Sequence, residues 1–288
     1  PASHEPANYM KELGNALEKS RLGFKLGDLV LTAFFFADDL VLIAGSPKRA
    51  MDELLDIVAQ FCKDMYMGLA VSKTFILTNA QNPVDWSVDD ETIEEVLAAK
   101  YLGVNMQIRG RNVVGQYEVV MLKRANGCAM SIMNLTRGGL DRALIAKKLW
   151  EACAIPAILY CVEALCVSKK TVDELDRIQN MVGRFILQVP SSTSRSLAWM
   201  DAGLTPMQDR IEARQANYIW SAVKARANTT IHKILMFLLT RPENKWVKSW
   251  MRIQSGIGLI TSYQSRKALN AALRCRAIDH VMAVKAEH

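Results

Sequence analysis

The stretch FFFADDLVLIA, residues 34–44, sets two adjacent aspartates, Asp38 and Asp39, between an aromatic run and an aliphatic run. Short apolar segments on either side of a tight polar tip predict a β-hairpin with the aspartates at or beside its turn. Two like charges so close together repel unless a cation or solvent offsets them. Such a tip suits Mg²⁺, which takes oxygen ligands, keeps several waters and is commonly held by one or two carboxylates plus substrate phosphates. Two metals roughly 3.5–4 Å apart serve phosphoryl transfer, one activating the attacking hydroxyl and one stabilising the leaving pyrophosphate. That chemistry needs at least one further carboxylate from another strand. The competing reading of the dipeptide by itself is an exposed Asp-Asp turn with no chemistry.

Upstream of the hairpin, residues 10–22 space their apolar positions like an amphipathic helix, with Gly23 as its stop, and LGDLVLTAFFF supplies the entering strand. Downstream, Ser46 and Pro47 give a cap and a first helical position. The helix they start sets Met51, Leu54, Leu55, Val58, Phe61, Cys62 and Met65 on one face and ends at Gly68. The segments LAVSKTFILT (69–78) and KYLGVNM (100–106) read as strand-like. An acidic loop of about 20 residues with Asp85, Asp89, Asp90 and Glu91 separates them. The first third is therefore expected to be a small α+β unit.

From Gly115 onward the pattern is helical, with amphipathic segments at 115–135, 141–165 and 171–188. Pro156 is expected to kink or break the second. Capping boxes at Thr171-Val172-Asp173-Glu174 and Thr205-Pro206-Met207-Gln208 start the third segment and a helix running to about Arg226. Two or three more helices follow, and SSTSRS (191–196) is the hinge candidate. The expected architecture is α+β: a small antiparallel sheet with helices in 1–110, a helical region in 111–195 and a second helical region in 196–288.

Charge is split by sign. Residues 1–99 hold eight Lys and Arg against sixteen Asp and Glu, a net of −8, while residues 100–288 hold 28 against 13, a net of +15, giving +7 overall. A basic excess of that size suits a polyanion, because cations that neutralise phosphates release condensed counterions. The chain has no apolar run of about 18–20 residues and no charged-then-apolar leader, so neither a membrane span nor a secretory signal is expected, and the location is expected to be intracellular, nucleus or cytoplasm. Six cysteines, several in apolar helical stretches, read as reduced core thiols.

The hairpin in its context resembles the active-site motif of reverse transcriptases, which carry an aromatic residue, Ala or Met, then Asp-Asp in the palm. It is most similar to the non-LTR, LINE-type retrotransposon enzymes. GLAVSKTFILT (68–78) resembles the next palm motif and KYLGVNM the primer-side hairpin. IPAILYCVEAL, DELDRIQNMVGRFIL and the VP-x(8)-W-x(2)-AGLTPM region resemble the thumb and the helices after it. The resemblance spans roughly residues 10–225. It implies an RNA-directed DNA polymerase that uses Mg²⁺ on an RNA/DNA template-primer. Asp38 would be the principal metal ligand, Asp39 a secondary or structural one, and Lys73 would approach the triphosphate. Phe36 and Ala37 would lie beside the primer terminus, and Tyr101, Leu102 and Gly103 would help form the primer grip.

Basic positions on the thumb-like helices, namely Lys123, Arg124, Arg142, Lys147 and Lys148, could track a nucleic-acid backbone. The family also carries fingers and a first palm half with another essential aspartate, and neither motif occurs in residues 1–33. The expectation is that the chain alone does not polymerise DNA, being either a fragment of a longer polyprotein, whose missing N-terminal half or a larger complex would complete the site, or a degenerate genomic copy that retains nucleic-acid affinity. The alternative is a host-recruited, non-catalytic structural or assembly protein.

Other constellations are bland. Cys153, Cys161 and Cys166 have no accompanying His for zinc, and His4, His232, His280 and His288 are scattered. Arg137-Gly138-Gly139 reads as an interhelical turn, because the Lys-Ser/Thr of a phosphate loop is missing.

Overall fold

The computed structural model describes residues 6–45, 48–79, 84–107, 113–138, 141–194, 201–258, 260 and 263–286. The chain forms two compact units, Pro1–Arg111 and Asn112–His288.

The first unit opens with α1 (Pro6–Ser20). Its stop is Arg21, which takes a left-handed φ of 54°, so the chain turns before the expected Gly23. Gly23 has a different reason: a Cβ there would sit 2.2 Å from the carbonyl oxygen of Leu31. Next come two hairpins where one was expected. Strands β1 (Phe24–Leu26) and β2 (Leu29–Leu31) close on Gly27–Asp28, with Gly27 at φ 62°, and β3 (Ala33–Phe36) and β4 (Asp39–Leu42) close on Ala37–Asp38. The Gly-Asp pair inside LGDLVLTAFFF was itself a two-residue turn signal.

Helix α2 (Lys48–Asp64) buries two faces. Leu54 and Val58 pack with Leu13 and Leu17 of α1 and with Phe35, Leu40 and Leu42 of the second hairpin. Leu55 and Ala59 pack with Ile76, Trp86, Val88 and Ile93. The helix ends when Tyr66 adopts φ 54° and Met67 N–H donates to the Cys62 carbonyl at 2.8 Å, two residues before the expected Gly68. Ser46 and Pro47 lie outside the described residues.

The predicted strand 69–78 is mostly not a strand. Val71–Lys73 forms a 3₁₀ turn, and only β5 (Phe75–Ile76) pairs, in parallel, with β8 (Glu94–Glu95). The supposed acidic loop also contains the hairpin β6 (Ser87–Val88) and β7 (Glu91–Thr92), turning through Asp89 and Asp90 at φ 49° and 64°. KYLGVNM lies within a hairpin of β9 (Ala98–Tyr101) and β10 (Val104–Gln107), with Leu102 and Gly103 at φ 47° and 80°. The class is α+β, but the described strands form five separate two-stranded ladders rather than one sheet. Two-residue strands are too short to show a period-2 pattern, which is why sequence reading passed over them.

The second unit begins with α3 (Val113–Thr136). The next helical run is interrupted: a π turn at Arg142–Ala146, α4 (Lys147–Leu149), a second π turn at Trp150–Ala154, then α5 (Ile155–Ile158). Pro156 has no N–H to donate, and the wider π turn just ahead absorbs that gap. The run ends at Ile158, well short of residue 165, and Cys161 sits at φ 66°.

Helix α6 (Lys169–Leu187) is capped by Ser168, whose Oγ accepts from the Thr171 N–H at 3.3 Å, so the cap lies three residues before the predicted box. The second predicted box fails differently. Helix α7 (Met207–Lys224) has Pro206 at its cap position with no side-chain cap, and Asp176 of α6 accepts the Met207 N–H at 2.9 Å instead. Helices α8 (Thr230–Leu239), α9 (Lys245–Ile257) and α10 (Arg266–Ala286) complete the described residues.

A core of Ala216, Ile219, Ile253, Ile257, Ile260, Leu269 and Leu273 joins α7, α9 and α10. Of the hinge candidate, 191–194 are described and 195–196 are not. Helices on either side of it pack within one unit, where Gln179 Nε2 donates to the Thr205 carbonyl at 2.9 Å.

Candidate functional site

The register Phe36↔Asp39 leaves Ala37 and Asp38 as the two central turn residues. Ala37 has φ 52° while Asp38 stays out of the positive-φ region, the sign pattern of a type II′ turn, whose twist matches antiparallel strands. A residue with a Cβ in that region costs roughly 1–2 kcal/mol, so the surrounding structure must hold it there. The hold comes from alternation along β3. Phe35 points into the α1–α2 core, and Phe34 and Phe36 are exposed on the other side. As a result Asp38 stands at the apex and Asp39 on the first residue of β4, both exposed and neither in an ion pair with any described residue.

The end of β9 is electrostatically coupled to this tip. Burial raises the pKa of the Tyr101 phenol, and the Asp39 carboxylate raises it further. Tyr101 thus lies within reach of the Asp39 field, with Leu102 and Gly103 next to it in the turn. Lys73 is exposed on the 3₁₀ turn, and no hydrogen bond or ion pair joins it to either aspartate. The structure brings together Phe36, Ala37, Asp38 and Asp39, and links Tyr101 to Asp39.

The donor chemistry of the pair fits a hard cation such as Mg²⁺. The number of ligands falls short: among the described residues no three His, Cys, Asp or Glu side chains converge. Asp38 and Asp39 would therefore hold Mg²⁺ only with ligands from elsewhere, such as substrate phosphates or a further carboxylate.

In a second Asp-Asp pair, Asp89–Asp90, the first acid has a cation from the protein itself. Lys63 Nζ lies 2.5 Å from Asp89 Oδ1. Burial raises the pKa of the neighbouring Cys62 thiol, and Asp89 adds to that rise.

In the second unit Lys123 is exposed and Arg124 half-buried on α3. Lys148 is exposed on α4, but Lys147 folds over Gly203, where a Cβ would lie 2.6 Å from its Nζ. The side chain of Arg142 lies outside the described residues.

The segment that follows α5, within the quoted IPAILYCVEAL, is latched by its backbone carbonyls. Tyr117 donates to the Tyr160 carbonyl, Trp246 to that of Glu163 at 2.9 Å and Gln215 to that of Leu165 at 2.8 Å. Arg214 contacts the Glu163 carboxylate at 3.1 Å. Burial is the main reason the Tyr117 phenol is pushed up to about 12. The amphipathic spacing predicts helix through this segment, and Pro156, earlier in the quoted stretch, is the residue that signals an interruption.

No family model matches the chain. Over 142 residues it is 28% identical to a Caenorhabditis elegans protein whose name calls it uncharacterized and transposon-derived. That match covers 48% of this chain and 50% of the relative, so the chain spans about half the length of the curated relative it matches. No described helix is long and apolar enough to cross a membrane.

Proposed function

We propose that the chain is the Asp-Asp hairpin and helical portion of a non-LTR retrotransposon reverse transcriptase and that it binds an RNA/DNA template-primer. The observation that carries this reading is the tip itself: a strained, core-anchored II′ turn that presents Asp38 and Asp39 to solvent without a protein cation, with Tyr101 in the field of Asp39. A fold that holds Ala37 at positive φ to expose two carboxylates retains them against electrostatic and backbone cost. Similarity to a transposon-derived protein supports the same origin.

In this reading Mg²⁺ would be bound by Asp38 and Asp39 and would supply Lewis-acid stabilisation for phosphoryl transfer. The chain's own residues hold and orient. Phe36 and Ala37 adjoin the carboxylates in the hairpin and would lie beside the primer terminus, while Tyr101, in the field of Asp39, would help form the primer grip with Leu102 and Gly103. Exposed Lys123 and Lys148 offer phosphate contacts in the second unit. Polymerisation needs a further carboxylate from outside the described residues, so the expected result for the chain by itself is binding without synthesis.

The test is fluorescence anisotropy with a labelled RNA–DNA hybrid, followed by Mg²⁺-dependent primer extension. With about four phosphates neutralised, affinity should fall about 10²-fold between 50 and 200 mM salt. Absence of hybrid binding, with stable co-purification in a protein complex, overturns the reading in favour of a non-catalytic assembly protein. Nucleotide incorporation by the chain alone would overturn the incomplete-site reading.

A further inference from the structure

A cleft of about 340 Å³ opens in the second unit between α7, α9 and the segment before α6. Helix α9 brings Lys245, Lys248 and Arg252 to its wall at i, i+3 and i+7, positions that share one helix face. Gln208 and Gln215 of α7 form another wall, and Cys166 lies on a third. No carboxylate lines the cleft.

Glu212, one turn beyond Gln208 on α7, accepts a hydrogen bond from the Gln208 amide of the cleft wall. It is buried and shared by two guanidiniums, Arg252 at 3.1 Å and Arg276 at 2.6 Å. Its one charge is thus already shared between Arg252 of the cleft wall and Arg276. Lys245 and Lys248 make no ion pair with any described residue. Polar groups on the wall are held in place: Gln215 Nε2 donates to the Leu165 carbonyl at 2.8 Å, and Ser249 Oγ donates to Gln215 Oε1 at 3.3 Å.

We propose that this cleft binds a phosphate group, with the Lys245 and Lys248 ammoniums and the outward N–H groups of Arg252 as donors. Three exposed cations on one helix face rim a recess that no carboxylate lines, and the two lysines have no ion-pair partner among the described residues. Glu212 is already shared between Arg252 and Arg276, and a phosphate offers several strong acceptors to such a set of nitrogen donors. The thiol of Cys166 senses the same charges: burial raises its pKa, and Lys245 and Arg252 pull it back down. The phosphate could belong to a nucleic-acid backbone or be free in solution. The inference stands on the cleft's own chemistry and does not depend on the aspartate hairpin.

The experiment is alkylation of the full chain by iodoacetamide with peptide mass spectrometry. It follows Cys166 in the cleft against exposed Cys153 as internal reference. At ligand ten times its dissociation constant, mass action slows Cys166 labelling about tenfold and leaves Cys153 unchanged. Protection by millimolar inorganic phosphate identifies a site for the phosphate group itself. Protection only by a single-stranded oligonucleotide identifies a phosphodiester site. The double variant Lys245→Ala, Lys248→Ala loses protection, while Lys224→Ala, at the exposed end of α7, keeps it. Cys166 labelled equally fast with and without both ligands, or a double variant protected like the parent, overturns the proposal.

Discussion

The first unit contains the dipeptide Asp-Asp twice on a hairpin, and the two copies are built differently. At Asp38–Asp39 the turn is Ala37–Asp38, so one acid stands at the apex and the other begins a four-residue strand. At Asp89–Asp90 both acids are the central turn residues at positive φ, between two-residue strands. The second geometry is a type I′ turn, which Asp tolerates because its short side chain can satisfy nearby backbone groups in the left-handed region. A one-residue difference in where the turn falls also separates their surroundings. Lys63 pairs with Asp89, whereas Asp38 and Asp39 face solvent with Tyr101 in the field of Asp39. The lesson is that an acid pair is available to an external cation only when the fold leaves it unpaired. Asp176 in the second unit marks the opposite extreme: buried, it accepts the first N–H of α7 and acts as a structural cap.

Four experiments would break or sharpen that comparison. The largest effect is expected from Asp38→Asn with Asp39→Asn, which should abolish Mn²⁺-induced paramagnetic broadening of amide signals at 36–40; Asp89→Asn with Asp90→Asn should leave it intact. Broadening that survives the first pair of changes would remove the distinction between the hairpins. Next in size, Asp176→Ala should lower unfolding free energy in a urea titration by about 1–3 kcal/mol, because it strands a buried N–H. Asp38→Asn in the same titration should change little.

Smaller gains test the backbone. Ala37→Gly and Asp90→Gly should each stabilise the chain by about 0.5–1 kcal/mol, since relief of positive-φ strain exceeds the added entropy of the unfolded glycine. A loss on Ala37→Gly would mean that the turn is not strained.

The finest test is titration of Tyr101 followed by its ring signals. Its folded-state pKa is raised, so the stability it contributes is complete below the ordinary phenol pKa and is lost as pH rises through the raised value. Asp39→Asn should lower the Tyr101 pKa part of the way, leaving the rise due to burial. Asp89→Asn should leave Tyr101 unmoved and lower the Cys62 thiol instead.

Much of this was legible in the residues. FFFADDLVLIA predicted its own hairpin because apolar runs flank a two-residue polar tip. The amphipathic spacing of α2 identified Leu54, Leu55 and Val58, all of which are buried. Boundaries were less legible, because caps can come from anywhere in the fold. Ser168 outcompeted Thr171, and the cap of α7 came from Asp176, 31 residues upstream. Strands of two residues carry no readable period, which hid β5 to β8 in what looked like a strand and a loop.

By itself, the sequence determined the α+β class, the sign of charge in each part, and the presence of an acid pair on a turn. These follow from local propensity and composition, which need no long-range contact. Tertiary structure alone decided which acid pair stays open, that Lys147 folds over Gly203, and that Lys245, Lys248 and Arg252 meet Cys166 across a cleft. Those outcomes depend on which distant side chains arrive within a few ångströms, and no local pattern encodes that meeting.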